Sequence, residues 1–202
     1  MAPLKLIEDW AIENVVERLS SDSTVVLRIL DEDLRLRLLR EAESYVYLEQ
    51  PEFVGKFNVR QQLASFSSFG QRSPFVLLKN EFQSLLERKL ANIKEYPFQY
   101  PLQLNEAVIQ RYERGSLGLS PHRDNLNCIN VVCVFVIDGT ADFYVCEDRS
   151  GKGARKIDSA PGNLIIMRAP GFLGSDFRPF HLLTNITERR YSFALRQIRR
   201  LF

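Results

Sequence analysis

The chain has 202 residues, of which 45% are hydrophobic and 26% charged, with a formal net charge of +2. That length accommodates one domain with a substantial core. No run approaches the roughly 18 uninterrupted apolar residues that span a bilayer, and so mild a charge makes no case for a nucleic-acid partner. The segment Met1 to Trp10 carries Lys5, Glu8 and Asp9 and lacks the apolar stretch of a signal peptide. The three cysteines, Cys128, Cys133 and Cys146, are odd in number and contain no CxxC pair. They are expected as free, buried thiols in a cytoplasmic or similarly reducing compartment, without membrane attachment. Basic residues gather late, at Arg189, Arg190, Arg196, Arg199 and Arg200.

In chain order, Thr24–Leu30 (TVVLRIL) predicts a short strand. Asp31 is positioned to cap a helix running to about Ser44, with Leu34, Leu38 and Leu39 at helical spacing. Phe53 to Gly70 is polar and aromatic with no sustained period, and predicts a loop or irregular hairpin. Asn80 is a candidate cap for a second helix with Phe82, Leu85, Leu86 and Leu90 on one stripe. From Asn105 the texture becomes strand-like. Candidates are Ala107–Tyr112, Ile129–Ile137, Asp142–Cys146, Asn163–Arg168, His181–Ile186 and Arg190–Arg196, separated by glycine-bearing turns such as Asp138-Gly139, Pro161-Gly162 and Pro170-Gly171. The expectation is an α+β architecture: a helical extension over residues 1–50, a lid-like region and buttressing helix over 51–104, and a β-sandwich or barrel core over 105–202, together one domain.

Only two histidines occur, His122 and His181. In an extended Pro121-His122-Arg123-Asp124, the His122 and Asp124 side chains share one face. With His181 they offer two imidazoles and a carboxylate, which leave half of an octahedral metal open, as non-haem iron(II) chemistry requires. The bland alternative is a histidine beside a salt-bridging aspartate. Along Arg190–Arg196, alternation sends Tyr191, Phe193 and Leu195 one way and Arg190, Ser192, Ala194 and Arg196 the other. The second face joins two guanidinium groups to small residues, which suits a small dianion gripped by a bidentate fork. A solvated basic edge strand would alternate the same way. Parity puts Arg189 outside such a pocket.

Taken together these residues resemble the AlkB-like family of iron(II)- and 2-oxoglutarate-dependent dioxygenases, over roughly Asn58 to Arg196. Val108-Ile109-Gln110-Arg111-Tyr112, followed by Gly115 and His122, is similar to the family's NRY…G…HxD segment, with Gln110 where many members have Asn. Ala160–Met167 (APGNLIIM) resembles the GSLLMM strand before the distal histidine, and Arg190 and Arg196 match its arginine pair. Ser192 stands where many members have Asn. The resemblance implies a double-stranded β-helix, or jelly roll, with iron(II) held by His122, Asp124 and His181. It further implies 2-oxoglutarate and dioxygen as co-substrates. Arg190 would hold the distal carboxylate of 2-oxoglutarate, assisted by Tyr112, and Gln110 and Ser192 would line the same site. Arg196 would neutralise charge near the C1 end or bridge to Asp124. The implied reaction is hydroxylation or oxidative demethylation of the substrate.

The substrate is less legible. The family resemblance implies alkylated bases of DNA or RNA, flipped from the stack. A base-reading region would then draw on Lys56 and Arg60 for phosphates and Phe57 or Phe172 for stacking, with Arg178 at the mouth. A protein or small-molecule substrate is the alternative. A non-catalytic binding module is a third, disfavoured by the intact triad and arginine pair.

Overall fold

The computed structural model describes residues 4–199; Met1 and Arg200, named above, lie outside them. Among the described residues three helices support the sheets. α1 (Ile12–Ser21) buries Ile12, Val15 and Leu19 on one face. It lies within the expected helical extension but has no capping signal in the sequence, since its cap position is Ala11, which makes no side-chain cap bond. After β1 (Thr24–Arg28) comes α2 (Glu32–Glu43), where Asp31 accepts from the Leu34 amide at 2.8 Å, as the sequence predicted. Its Arg35 reaches the Ile137 carbonyl at 3.0 Å and pairs with Glu32 and Asp138. Next come β2 (Leu48–Glu49), β3 (Phe53–Val54), β4 (Val59–Gln62) and β5 (Ala64–Phe66). α3 (Pro74–Leu90) begins well before the expected Asn80. Ser73 is the true cap, accepting from the Phe75 amide at 3.2 Å, and a proline follows at the first helical turn, where its missing N–H costs nothing. The predicted stripe Phe82, Leu85, Leu86 and Leu90 is buried. Among the described residues no helix is long and apolar enough to cross a membrane.

The remaining strands are β6 (Glu106–Tyr112), β7 (Gly118–His122), β8 (Cys128–Asp138), β9 (Asp142–Cys146), β10 (Arg155–Ile157), β11 (Asn163–Arg168), β12 (Phe180–Thr184) and β13 (Arg190–Ile198). They form two antiparallel sheets. One has seven strands in the order β1-β11-β8-β13-β6-β5-β2, the other six in the order β10-β9-β12-β7-β4-β3. One core lies between the helices and the seven-stranded sheet, where Phe75, Phe82, Phe135 and Phe193 meet. A second core, including Val136, Phe143, Ile165 and Leu183, lies between the sheets. The three cysteines are free and buried, as expected.

Differences from the sequence reading have local causes. β7 went unrecognised because Pro121 interrupts it, and proline argues against a paired strand. β12 stops at Thr184 rather than Ile186 because Asn185 takes φ +52, which breaks extended geometry. Within residues 53–70 the expected irregular hairpin is present, β3 pairing with β4, and it joins the sheets: β4 pairs with β7, and β5 pairs with β6. Phe66 and Phe69 pack on the helical core, Phe66 stacking on Tyr45 at 4.0 Å between centroids.

Gly118 opens β7 with φ +74, and a Cβ there would collide with the Leu183 carbonyl of β12. Gly115 has a similar φ of +78 but nothing near its missing Cβ. Gly115→Ala should therefore show only the left-handed backbone cost of about 1–3 kcal/mol. Gly118→Ala should lose distinctly more, because β7 and β12 must also part. Urea unfolding of the two variants checks this, and equal losses would contradict the close approach.

Candidate functional site

β7 and β12 are neighbours, and their register makes His122 and His181 Cα partners. The rings stand 4.2 Å apart between centroids. His122 Nδ1 donates to the Ser120 carbonyl at 2.9 Å, which fixes the tautomer and leaves Nε2 with a free lone pair. His181 Nδ1 faces the Pro179 carbonyl at 3.5 Å, and its Nε2 lies 3.5 Å from Asp124 Oδ2. Asp124 sits just past the end of β7. Its Oδ1 accepts from Arg196 Nε at 3.1 Å, and its carbonyl accepts from Arg178 Nε at 2.8 Å. Arg196 is braced in turn by Glu106 at 3.1 Å. Of the two roles expected for Arg196, the bridge to Asp124 is the one the geometry displays.

Electrostatics favour a ligand-ready protonation state. Burial, helped by the neighbouring His181, pushes His122 well below the usual imidazole range, to about 3. Burial likewise lowers His181, against the pull of Asp124. Burial alone would raise Asp124, but Arg196 and both histidines outweigh it and hold the carboxyl down at about 2. Two neutral imidazoles and an ionised carboxylate are therefore gathered together. They are not drawn into a coordination shell: among the described residues no three His, Cys, Asp or Glu side chains stand at metal-binding spacing. The chemistry of the donor set nonetheless fits a divalent cation such as iron(II).

These side chains share one pocket with the rest of the predicted cofactor residues. Gln110 and Tyr112 of β6 and Arg190, Ser192 and Arg196 of β13 line it together with His122, Asp124 and His181. The pocket lies between the sheets and encloses ≈ 460 Å³ of empty space, counting its opening to solvent. β13 pairs with β6 so that Arg190 opposes Tyr112 and Ser192 opposes Gln110. The predicted alternation is present: Tyr191, Phe193 and Leu195 join the helical core, while Arg190 and Ser192 face the pocket. Arg190 is 1% exposed. It donates to the carbonyls of Ser159 at 3.1 Å and Gly139 at 3.4 Å, and its Nε has no partner. Burial lowers its pKa to about 10, so it remains charged at neutral pH. Burial raises the Tyr112 hydroxyl, which stays a donor beside Arg190. Arg189 points elsewhere, to Glu113 at 2.8 Å, as parity required.

The substrate expectations fare less evenly. Phe172 is a correction. It is fully buried and packs on Phe98, so it presents no face to a base. Its backbone lies in tight turns between Gly171 and Leu173, which aim the ring inward while Leu173 takes the exposed position. Arg60 is on β4, where it forms an exposed pair with Glu52 at 2.8 Å. Lys56 and Phe57 are exposed at the turn between β3 and β4, with Lys56 Nζ 4.9 Å from the Phe57 centroid. Arg178 reaches the site through the Asp124 carbonyl.

Sequence reasoning missed several contributors. Glu106 braces Arg196, and the equal spacings Glu106 to Tyr112 and Arg190 to Arg196 on antiparallel strands could have revealed it. Phe143 stacks on His181 with centroids 5.7 Å apart and gives it an apolar wall. Arg123 lies 4.1 Å over Phe180, and Arg149 lies 4.5 Å over Phe57 and 5.6 Å from Phe180. No local pattern announces that group, because its members come from segments far apart in the sequence.

No protein-family model matches the chain, and no curated protein matches it. Solved structures do. A prolyl hydroxylase from Trichoplax adhaerens, in complex with a hypoxia inducible factor oxygen degradation domain peptide fragment, aligns over 93% of this chain and 89% of its own with a TM-score of 0.70 at 16% identity. A 2OG-Fe(II) oxygenase family oxidoreductase from Burkholderia pseudomallei aligns over 97% and 95%, with a TM-score of 0.61 at 13% identity. The protein OsALKBH1 aligns over 87% and 98%, with a TM-score of 0.57 at 18% identity. At these identities the likeness establishes a shared fold.

A buried, neutral histidine ties stability to pH. The unfolded chain protonates His181 near its ordinary value of about 6.5, whereas the folded chain resists. The unfolded state therefore binds more protons below that value, and stability should fall as pH drops from 7 toward 5. In metal-free protein His181→Asn should flatten that slope in urea titrations. An unchanged slope would contradict a neutral His181.

Proposed function

We propose that this protein is an iron(II)- and 2-oxoglutarate-dependent oxygenase of AlkB-like type, built as one catalytic domain on a double-stranded β-helix. The observation that carries the proposal is a buried, charged and incompletely paired Arg190 in the same pocket as His122, Asp124 and His181. A charge is buried without a carboxylate only at a cost of several kcal/mol, which a bound dianion would offset. The shared fold with 2OG-Fe(II) oxygenases supports the same reading.

In this proposal His122 and His181 offer Nε2, and Asp124 a carboxylate oxygen, to iron(II). Arg190 forms a bidentate pair with the distal carboxylate of 2-oxoglutarate, and Tyr112 donates its hydroxyl to the same group. Gln110 and Ser192 line the channel between the two ends. Arg196 holds Asp124 ionised and oriented. Phe143 and Leu183 keep that interior apolar. When bound, iron(II), 2-oxoglutarate and dioxygen supply oxidative decarboxylation coupled to hydroxylation of a substrate C–H bond, which on an N-methyl group releases formaldehyde.

The sequence motifs favour an alkylated nucleic-acid base as substrate. A peptide is the second reading, because the Trichoplax structure and a Pseudomonas putida prolyl-4-hydroxylase, TM-score 0.62, both outscore OsALKBH1. Formaldehyde release from methylated oligonucleotides, set against mass gain on proline-containing peptides, separates the two.

Conversion of 2-oxoglutarate to succinate should require iron(II) and fall to background in His122→Ala, Asp124→Ala and His181→Ala. With no further histidine in the chain, nothing can replace a lost imidazole. Wild-type turnover in His181→Ala would contradict the ligand assignment. Arg190→Ala should raise the KM for 2-oxoglutarate by an amount equivalent to about 2–5 kcal/mol. Arg190→Lys should recover part, since a point charge replaces a fork. Arg189→Ala should leave KM close to wild type, and the reverse order of damage would overturn the assigned register.

A further inference from the structure

Beside the pocket, on the outside of the six-stranded sheet, cations and aromatic rings alternate. Phe180 precedes His181 on β12, so it points away from the pocket that His181 faces. The Arg123 guanidinium lies 4.1 Å over the Phe180 ring. Arg149 lies between Phe180 and Phe57, 5.6 Å from one centroid and 4.5 Å from the other. Lys56 covers Phe57 at 4.9 Å. Arg178 stands near enough to Arg123 for the two charges to repel.

These four cations stand together and share the lack of an ion pair, and three of them, Lys56, Arg123 and Arg149, lie over aromatic rings. Arg35, Arg60, Arg111, Arg189 and Arg196 are all ion-paired. Among the described residues, none of Lys56, Arg123, Arg149 and Arg178 has a carboxylate within ion-pairing distance. The acids nearest in sequence to Arg149 are otherwise engaged. Asp148 accepts from the Ser150 amide at 2.8 Å and hydroxyl at 2.6 Å, and Glu147 faces Lys152 at 3.6 Å. A guanidinium stacked on an aromatic ring has its plane fixed and its N–H edges free to bind an oxyanion in that plane. Two guanidinium groups near one ring, close enough to repel each other, match the several acceptor oxygens and the charge of a phosphate better than a single carboxylate.

We propose that Arg123 and Arg149, held on Phe180 and Phe57, form a binding site for a phosphate group carried by the substrate, with Arg178 and Lys56 flanking it. Arg123 stands between His122 and Asp124 in the sequence and Arg178 donates to the Asp124 carbonyl, which sets the row beside the pocket and makes the substrate of the oxygenase its natural occupant; to that extent the proposal rests on the function proposed above. The phosphate belongs to a nucleic-acid strand or to a small phosphate monoester, and the two differ in how they bind. A strand would run along the row from Arg178 to Lys56, whereas a monoester would use the two central forks alone.

Titrating the full-length protein with single-stranded oligothymidylate and, separately, with glucose 6-phosphate at low and high salt tests the site. At least one probe should bind at low salt and weaken as salt rises. Arg123→Gln and Arg149→Gln should each weaken that binding by about tenfold, the scale of a charged hydrogen bond. Arg149→Lys should retain part of it. Both altered arginines are exposed, so circular dichroism should be unchanged. Loss in Lys56→Gln with oligothymidylate alone identifies the strand. Failure of both probes to bind, or binding indifferent to Arg123→Gln and Arg149→Gln, would overturn the proposal. Manganese(II) titrated into the same protein reads the metal site separately. If manganese(II) does not bind while phosphate does, the oxygenase reading falls and the phosphate site stands.

Discussion

A buried guanidinium without a carboxylate partner is the constraint on which the rest of this structure turns. Arg190 is held by two backbone carbonyls from the turns after β8 and before β11, so two connections of the fold converge on one side chain. Desolvating such a charge costs several kcal/mol, and neutral carbonyls recover only part of that. A leucine there would pack between the sheets at no such cost. The arrangement gains its sense from a ligand with the opposite charge, and the pocket in front of Arg190 leads directly to His122, Asp124 and His181.

The two arginines of β13 divide the electrostatics of the pocket. Arg196 is neutralised within the protein by Asp124 and Glu106, and its effect is to keep a deeply placed carboxylate ionised. Arg190 keeps its charge for something else. The two positions lie on the same face of one strand, and antiparallel pairing with β6 sets Tyr112 opposite one and Glu106 opposite the other. One strand pairing thus decides which guanidinium is ion-paired within the protein and which is not.

Much of this was legible in the sequence because it depends on parity and scarcity. With two histidines in the chain, a metal site drawing on imidazole had no alternatives. The alternation over Arg190–Arg196 gave both the core face and the pocket face, and Arg189 fell outside as parity required. What the sequence concealed depends on position in space. β7 was hidden by Pro121, although it carries His122. The aromatic segment before α3 was read as a lid, yet hydrophobic contact with the helical core draws Phe66 and Phe69 inward. Phe172 looked available for stacking until the turns around it aimed its ring at Phe98. The row formed by Arg123, Arg149, Phe57 and Phe180 is assembled from three separate connections and the start of β12, which no periodicity could have joined.

The most direct test is calorimetric titration of 2-oxoglutarate into wild-type protein and Arg190→Ala, each with and without manganese(II) as a redox-inert stand-in for iron(II). If metal and Arg190 together define one site, wild-type protein should bind 2-oxoglutarate tightly only with manganese(II) present, while Arg190→Ala should bind the metal normally and lose the 2-oxo acid. Binding of 2-oxoglutarate that ignores both the metal and the Arg190 substitution would contradict the account.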